Sequence, residues 1–460
     1  MTVNKLILPG SLAGVPKKAD RGWCWFVLAL SVLMAGFLVG PRVPDDQQEV
    51  HCVVNVRVAG PWGVSLNCDS SYYMSLARDP SMLLAPRSVR QNRPGMVLAA
   101  ATLAMPLSLL SDLAVLPRTL GVTVGRADMD PQRVNQALSH HFPQYAAYIA
   151  LNVMLLLLSF HCFRRVCGRD GVGSDTATTM VVVSVGVLLV ANDVTKAFVW
   201  SPHNQMLNIF VPVAAVAATL RSWSGGLLNR RFAAGAGLLS GFGYTAYQLF
   251  AIIPVCVIIA GLLHAGRPQC SDARSRAGIN IALLLGLGVA PFALWYLFVR
   301  MATGEFYDHE LSSGLGVWMI NAWAHGGVAA LLGGWAQHGA AMVKLAAWQA
   351  IPIGAVMAVL LMAAITQREI VCAALGPLVP VAMAGLFVSA VVVAFYASAG
   401  YTPARLAFAA IPPLIVVAGA IAVAVVQRLE AIHRRMLACG CAMIAALQVI
   451  YVIVKDGPYS

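Results

Sequence analysis

"GWCWFVLALSVLMAGFLVG", residues 22–40, is a run of nineteen residues without a single charge. As a helix it extends about 28 Å, close to the roughly 30 Å of a bilayer's hydrocarbon core. It is too long for the apolar segment of a signal peptide, and it follows Lys17, Lys18 and Arg21. The run therefore reads as a first membrane helix entered from the cytoplasm.

Similar runs recur at 144–163, 177–197, 204–220, 277–299, 342–365, 370–396, 404–426 and 435–454, in a chain of 460 residues that is 59% hydrophobic and 11% charged. Continuous apolar blocks exclude a β-barrel, whose strands alternate over about ten residues. The expectation is a single all-α polytopic membrane domain over 1–460 with about 10–13 membrane segments. Most basic residues stand in clusters between the runs: Arg164, Arg165 and Arg169; Arg221, Arg230 and Arg231; Arg267, Arg274 and Arg276; Arg368; Arg428, Arg434 and Arg435. The net charge of +12 is thus a topology signal that marks cytoplasmic loops, and no nucleic-acid partner is expected. Residues 232–263, basic at both ends, read as a glycine-rich hairpin of two short helices.

This map puts a long first loop, 41–143, on the extracytoplasmic side, with 96–116 as an interfacial or re-entrant helix. Residues 144–460 supply the remaining helices and outer loops. Ionisable residues are rare inside the runs, which disfavours an ion-coupled transporter. Of ten cysteines, only Cys52 and Cys68 fall outside, flanking an alternating valine stretch broken at Gly60 and Pro61. That pattern predicts a β-hairpin closed by a Cys52–Cys68 disulfide in an oxidising compartment.

The same loop carries the candidate chemistry. "PDDQQEVH" holds Asp45, Asp46 and Glu49, a hydrated loop or an acidic site, and "NCDSSYYMSLARDP", residues 67–80, holds Asp69 before a short amphipathic helix. Asp69 could serve as a plain helix cap. "CDSSYYMSLA" followed by "NRPG" resembles the first-loop pattern of the GT-C superfamily of integral-membrane glycosyltransferases, D-E-x-x-Y-x-x-[IL]-A and then R-P. The resemblance runs through Asp69, Tyr73, Leu76, Ala77, Arg93 and Pro94, and departs at Ser70, where many members carry a second acid.

The resemblance implies transfer of a sugar from a polyprenyl-phosphate donor to an extracytoplasmic glycan, glycolipid or protein, usually with inversion. It implies a plasma (inner) membrane location with the site facing the periplasm or cell exterior. Asp69, with Asp45 and Asp46 as alternatives, is then the general base. Tyr73, Arg93, Lys196, His203, Asp308, His309, Glu310 and Arg405 are candidates for binding substrate, and Arg405 is the candidate for the phosphate. Lys196, His203, Phe198 and Trp200 lie in "NDVTKAFVWSPHNQMLN", where interfacial anchoring is the alternative reading. Asp308, His309 and Glu310, in "GEFYDHELSSGLGVW" beside Glu305, could hold acceptor hydroxyls or a divalent metal. Arg78, Arg87, Arg90 and Arg93 are basic on the outer side, against the usual bias, and suit lipid headgroups or the carrier phosphate. Two other readings stand beside this one: an O-antigen-type ligase or polymerase, disfavoured because the largest outer loop comes first, and a lipid or sugar flippase, disfavoured by the lack of an internal repeat.

Overall fold

The structure, a computed structural model, describes residues 21–41, 43–44, 47–48, 53–59, 62–109, 123–124, 140–167, 175–266 and 273–455. In chain order these form α1 (Arg21–Val39), β1 (Val53–Ala59), β2 (Trp62–Asn67), α2 (Asp69–Arg78), α3 (Gly95–Ser108), β3 (Thr123–Val124), α4 (Phe142–Cys167), α5 (Thr176–Val187), α6 (Asp193–Phe198), α7 (Leu207–Trp223), α8 (Arg230–Ala246), α9 (Ile252–Ala265) and α10 (Ala273–Thr303). There follow α11 (His309–Ser312), α12 (Val317–Gln349), α13 (Ile351–Thr366), α14 (Arg368–Leu375), α15 (Val379–Ala399), α16 (Ala404–Ala407), α17 (Ile411–Val426) and α18 (Ala431–Val454). The protein is an all-α polytopic membrane protein.

Among the described residues, seven helical segments are long and apolar enough to cross a membrane, or eight if α12 and α13, bent by 61° against each other, form one span. The sequence-based expectation of 10–13 segments counted shorter apolar helices as well: α3, α5 and α7 have only 14, 12 and 17 residues. The run 177–197 is interrupted because Asn192 caps α6, its side chain accepting from the Thr195 N–H at 2.9 Å. A capping asparagine pulls the backbone out of the preceding helix. Residues 301–341, between the apolar runs 277–299 and 342–365, are helical from Val317 onward, with a break at Gly327 (φ 61°, ψ −153°). Only a residue without a Cβ takes that conformation cheaply.

Lipid-facing and core-facing sides differ by size and polarity. On α10, Ile279, Val289, Leu294, Leu297, Phe298 and Met301 are exposed, as suits a face in contact with lipid tails. The segment Phe232–Leu263 is two helices separated where Tyr247 extends (φ −160°, ψ 125°). Glycines on α8 let it approach α10 closely: a Cβ built on Gly241 would lie 2.6 Å from the Leu287 carbonyl oxygen, and one on Gly237 2.6 Å from that of Leu284. Close approach of this kind is how membrane helices gain packing where the hydrophobic effect is absent.

At one end of the bundle sits a three-stranded antiparallel sheet in the order β2-β1-β3. Val56 and Leu66 point into a small core with Val54. Cys68 is disulfide-bonded; Cys52, its expected partner, lies outside the described residues, as do Asp45, Asp46, Glu49 and most of the second half of the segment 96–116. What is described of that segment is α3, which contains Pro106.

Substituting glycines on α8 gives effects of opposite sign. Gly241→Ala is expected to lower the thermal midpoint of the detergent-purified protein by an amount equivalent to about 1–3 kcal/mol, the usual range for overpacking. Gly235→Ala, with no atom within 4 Å of the new Cβ, is expected to leave it unchanged or raise it through helix propensity. A differential thermal unfolding measurement of the two variants checks the contrast.

Candidate active site

The site is built on chain that is not helical. Between α5 and α7 the backbone unwinds twice, at residues 188–192 and 199–206, inside a buried environment. Buried backbone polar groups need partners. Asn152 of α4 supplies them: its Nδ2 is shared by the carbonyl oxygens of Phe198 (3.1 Å), Val199 (3.2 Å) and Ser201 (3.0 Å). Tyr145 Oη donates to the Trp200 carbonyl at 3.0 Å, and Trp200 Nε1 donates to the Met34 carbonyl of α1 at 3.0 Å. Ser201 then fixes the start of α2, receiving the Asn67 N–H at 3.3 Å and bonding Ser70 Oγ at 2.7 Å.

Asp69 is the first residue of α2, but its side chain does not cap the helix. The flanking position is Cys68, which makes no side-chain cap bond. The Asp69 carboxylate turns to a second element, the loop before α3, where Arg90 Nη2 donates to Oδ2 at 2.6 Å. The carboxylate stays 48% exposed while the arginine side chain is 9% exposed, so the pair presents its anionic end. Arg90 also lies over the Tyr73 ring, 4.7 Å from its centroid. Burial opposes the guanidinium's charge, yet Tyr73, Asp69, Glu310 and Tyr72 together hold its pKa above the ordinary value. Arg90, expected with the other outer arginines to meet lipid headgroups or the carrier phosphate, pairs with Asp69; the spacing of the two in the sequence carries no signal that they would meet.

His203 closes the other side. Its Nε2 is 3.9 Å from Asp69 Oδ2, and its ring packs against Tyr73 and Phe198 with centroid separations of 5.3 and 4.9 Å. The ring is buried, and burial, followed by the nearby Arg90, Arg405 and Arg93, pushes its pKa well below the ordinary histidine value.

Arg405, at the one-turn helix α16, stands 5.9 Å from the centroid of Phe198. Its Nη2 reaches Tyr401 Oη at 3.4 Å, and its buried Nε has no hydrogen-bond partner. Among the described residues it forms no ion pair with a carboxylate.

Arg93 contrasts with it. Arg93 Nη2 bonds Glu310 Oε1, and the neighbouring Asn92 Nδ2 bonds both Glu310 Oε2 and Asp308 Oδ1 (3.0 Å for the latter). Gln91 ties the same two loops, accepting the Tyr307 N–H at 2.6 Å through Oε1 and the Trp295 indole N–H at 2.6 Å through its carbonyl. The segment 305–310 is therefore strapped across the entry to α3. Asp308 caps α11 through the Leu311 N–H, and His309 Nδ1 lies 3.4 Å from Tyr307 Oη. Among the described residues no three metal-ligating side chains converge; Asp308 and Glu310 are occupied with Asn92 and Arg93. Glu305 bonds Thr303 through its backbone alone.

Lys196 points elsewhere. Its Nζ donates to the carbonyl oxygens of Ile453 (3.4 Å) and Lys455, and Lys455 Nζ returns to Asp193 at 2.8 Å, clamping α6 to the end of α18. The structure thus gathers Asp69, Tyr73, Arg90, His203 and Arg405, adds Arg93, Asp308 and Glu310 as a linked neighbour cluster, and leaves Lys196 outside. Arg78 bonds the His140 carbonyl, and Arg87 is exposed at the positive φ of 56°.

An almost wholly apolar groove opens between α12, α15 and α17, lined by residues such as Trp335, Ala346, Leu386, Val393 and Leu414. At the end of α12, Gln349 Nε2 donates to the Ala404 carbonyl at 2.9 Å and so joins that helix to α16. The one polar side chain in the groove's lining, Ser389, is satisfied by the Ala410 carbonyl at 2.8 Å. No family model, curated protein or solved structure matches the chain.

The Arg93–Glu310 pair gives a direct energetic test. Both side chains are nearly buried, 13% and 11% exposed, so removing one partner strands the other. Arg93→Ala is expected to cost about 3–5 kcal/mol, whereas the double change Arg93→Ala with Glu310→Ala should cost markedly less. A double-mutant cycle on unfolding midpoints measures the difference.

Proposed function

We propose that the protein is a membrane glycosyltransferase that moves a sugar from a polyprenyl-phosphate carrier to an acceptor hydroxyl on the extracytoplasmic side, with inversion at the anomeric carbon. The observation that carries this reading is one juxtaposition. A half-exposed carboxylate, Asp69, and Arg405, which forms no ion pair among the described residues, share contact with the Phe198–His203 wall, and the arginine's short helix, α16, packs on α12, one wall of an apolar groove. A lipid-linked phosphate donor has this same division: an apolar chain, an anionic head and an electrophilic carbon just beyond it.

In the proposed step Asp69 removes the proton from the acceptor hydroxyl as that oxygen bonds C1 of the sugar from the face opposite the phosphate. The C1–O bond to phosphate breaks, and its electron pair leaves with the lipid phosphate. The growing charge on that leaving group meets Arg405, whose planar donors match phosphate oxygens. The Asp69 Oδ2 atom is held by Arg90, and Oδ1 has no partner among the described residues, so one oxygen is available for the proton. Arg93, Asn92 and the 305–310 segment form the neighbouring wall, where acceptor hydroxyls could be bound. A flippase would need the groove but not the carboxylate. The polar residues gathered around Asp69 favour chemistry over transport alone.

The test uses purified protein in liposomes with polyprenyl-phosphate-linked mannose, glucose and arabinofuranose in turn and an envelope extract as acceptor, reading sugar transferred and lipid phosphate released. Asp69→Asn is expected to lower turnover by about 10²- to 10⁴-fold without loss of donor binding. Arg405→Ala is expected to weaken donor binding by roughly 10- to 100-fold, the worth of a charge-assisted hydrogen bond. An active Asp69→Asn protein, or carrier movement without sugar transfer, would overturn the reading.

A further inference from the structure

Trp318 and His338 stand twenty residues apart in the chain, about 30 Å along a straight helix. Their rings nevertheless lie 4.8 Å apart between centroids, so α12 is folded back on itself. The turn falls at Gly326 and Gly327, where Gly327 takes φ 61° and ψ −153°, a conformation essentially confined to glycine. Residues 317–326 form one arm of a helical hairpin, and the residues after Gly327 form the other. The Trp318 indole fills the space where a Cβ would stand on Gly334 of the second arm and on Gly400 beyond α15.

The open end of the hairpin is fastened to the end of α15. Trp318 Nε1 donates to the Ser398 carbonyl and Trp335 Nε1 to the Ser398 hydroxyl, each at 3.0 Å, and the Gly316 N–H donates to the Ala399 carbonyl at 3.0 Å. Just before it, the Leu315 N–H donates to the Glu310 carbonyl at 3.0 Å, so the hairpin follows directly on the 305–310 segment. From Trp335 onward its second arm becomes a wall of the apolar groove. Away from that anchor the hairpin is bare: Ile320 and Trp323 on the first arm, and Val328 and Leu332 on the second, are each more than half exposed.

From Leu311 to Val343 the chain has no Asp, Glu, Lys or Arg. A projecting hairpin with large apolar side chains on both arms and no charge is ill suited to water. Its apolar surface also continues into one that faces lipid. Val343 and Trp348 further along α12, then Leu361 and Ile365 on α13, are exposed on the bent pair that is long and apolar enough to cross a membrane. Polar groups on the first arm keep to one side. Asn321 and His325 are exposed one turn apart, with His325 Nδ1 donating to the Asn321 carbonyl at 2.8 Å, and Ile320 and Trp323 lie on the adjoining side.

We propose that the hairpin 317–335 is embedded in the interfacial layer of the bilayer without crossing it, with Ile320, Trp323, Val328 and Leu332 among acyl chains and Asn321 and His325 at headgroup depth. Its partner is lipid. With no basic side chain, the contact is apolar and has no preference for anionic headgroups. The hairpin thereby moors the 305–310 segment and the wall of the groove at a fixed depth, whatever the groove carries.

The test uses the full-length protein in phosphatidylcholine liposomes. Trp323, Val328, Leu332 and, as a water-facing control, the exposed Glu305 are replaced one at a time by p-acetylphenylalanine, whose ketone takes a nitroxide and spares the cysteines. Power-saturation EPR then compares collisions with oxygen, which concentrates in lipid, and with a water-soluble nickel complex. Oxygen is expected to dominate at the three hairpin positions and nickel at 305, in the same order after phosphatidylglycerol is added. Nickel access at the hairpin would overturn the proposal, as would oxygen access that appears only with phosphatidylglycerol. Poor access of both reagents would also overturn it, as the sign of a covering protein surface, and spin–spin broadening would identify that surface as a second copy of the chain. Hydroxyl-radical footprinting of the unsubstituted protein in the same liposomes is the second measurement. Met82, exposed after α2, is expected to be oxidised and Trp323 to stay intact; equal oxidation of the two counts against the proposal. None of these readouts depends on sugar transfer, so the proposal and the proposed activity fail separately.

Discussion

The amide of Asn152 is the constraint on which the rest of this architecture depends. Two breaks in helical backbone within a buried bundle would each leave carbonyl groups unbonded, at a cost of several kcal/mol per group in hydrocarbon. One side chain from α4 answers three carbonyls at the second break, and Gln448 of α18 answers the first, donating to the Ala191 carbonyl at 2.9 Å. Because those carbonyls are satisfied, the chain between them can leave the helix and carry Phe198, Ser201 and His203 to one place. Ser201 passes the constraint on to α2, and α2 carries Asp69. The positions of carboxylate and imidazole are therefore linked through backbone, with no long flexible side chain in the path.

Charge pairing then separates the arginines by role. Arg90 and Arg93 each meet a carboxylate, Asp69 and Glu310, and each pair joins two segments distant in sequence. The Arg93–Glu310 pair brings opposite charges out of water together, where neither alone would be tolerated, whereas Asp69 keeps its carboxylate half in solvent. Arg405 meets the Phe198 ring and the Tyr401 hydroxyl, and no carboxylate among the described residues. A guanidinium in that position is still attractive to an anion, and its unbonded Nε adds a donor for one. The same residue type thus serves as structural tie twice and as an open cation once, and the difference lies in the partner each finds.

How much of this was readable from sequence varies with the range of the interaction. The membrane helices were legible because apolar length is a local property: 22–40, 404–426 and 435–454 are close to α1, α16 with α17, and α18. The valine alternation around Gly60 and Pro61 likewise marked β1 and β2. The break after Val187 was hidden because hydropathy does not register Asn192 as a cap, and the helix from Val317 was hidden because glycines and polar residues dilute its signal. Among the site residues, Asp69, Tyr73, His203 and Arg405 were singled out and are brought together. Arg90 was overlooked as the partner of Asp69, and Asn152 gave no signal at all, since a lone asparagine inside an apolar run reads the same whether it binds backbone or faces a neighbour. Lys196 was singled out with Asp69 and the rest, and its amino group bonds the chain at the end of α18.

The placement of the site at unwound backbone also explains its mixed polarity. A helix buries its own N–H and C=O groups, so a helical wall can offer substrate only side chains. Here the non-helical 199–206 segment turns the Val199 and Ser201 carbonyls toward Asn152 and aims the N–H of Asn204 at an imidazole. On the neighbouring side α15 and α17 remain regular helices, and their contribution is an apolar groove whose single hydroxyl is already bonded. Irregular backbone next to regular helix thus sets polar, directional groups beside a surface that offers only dispersion contacts. On the proposed reading, a lipid-linked donor bridges this boundary through both of its ends at once, with its reactive group between Arg405 and Asp69.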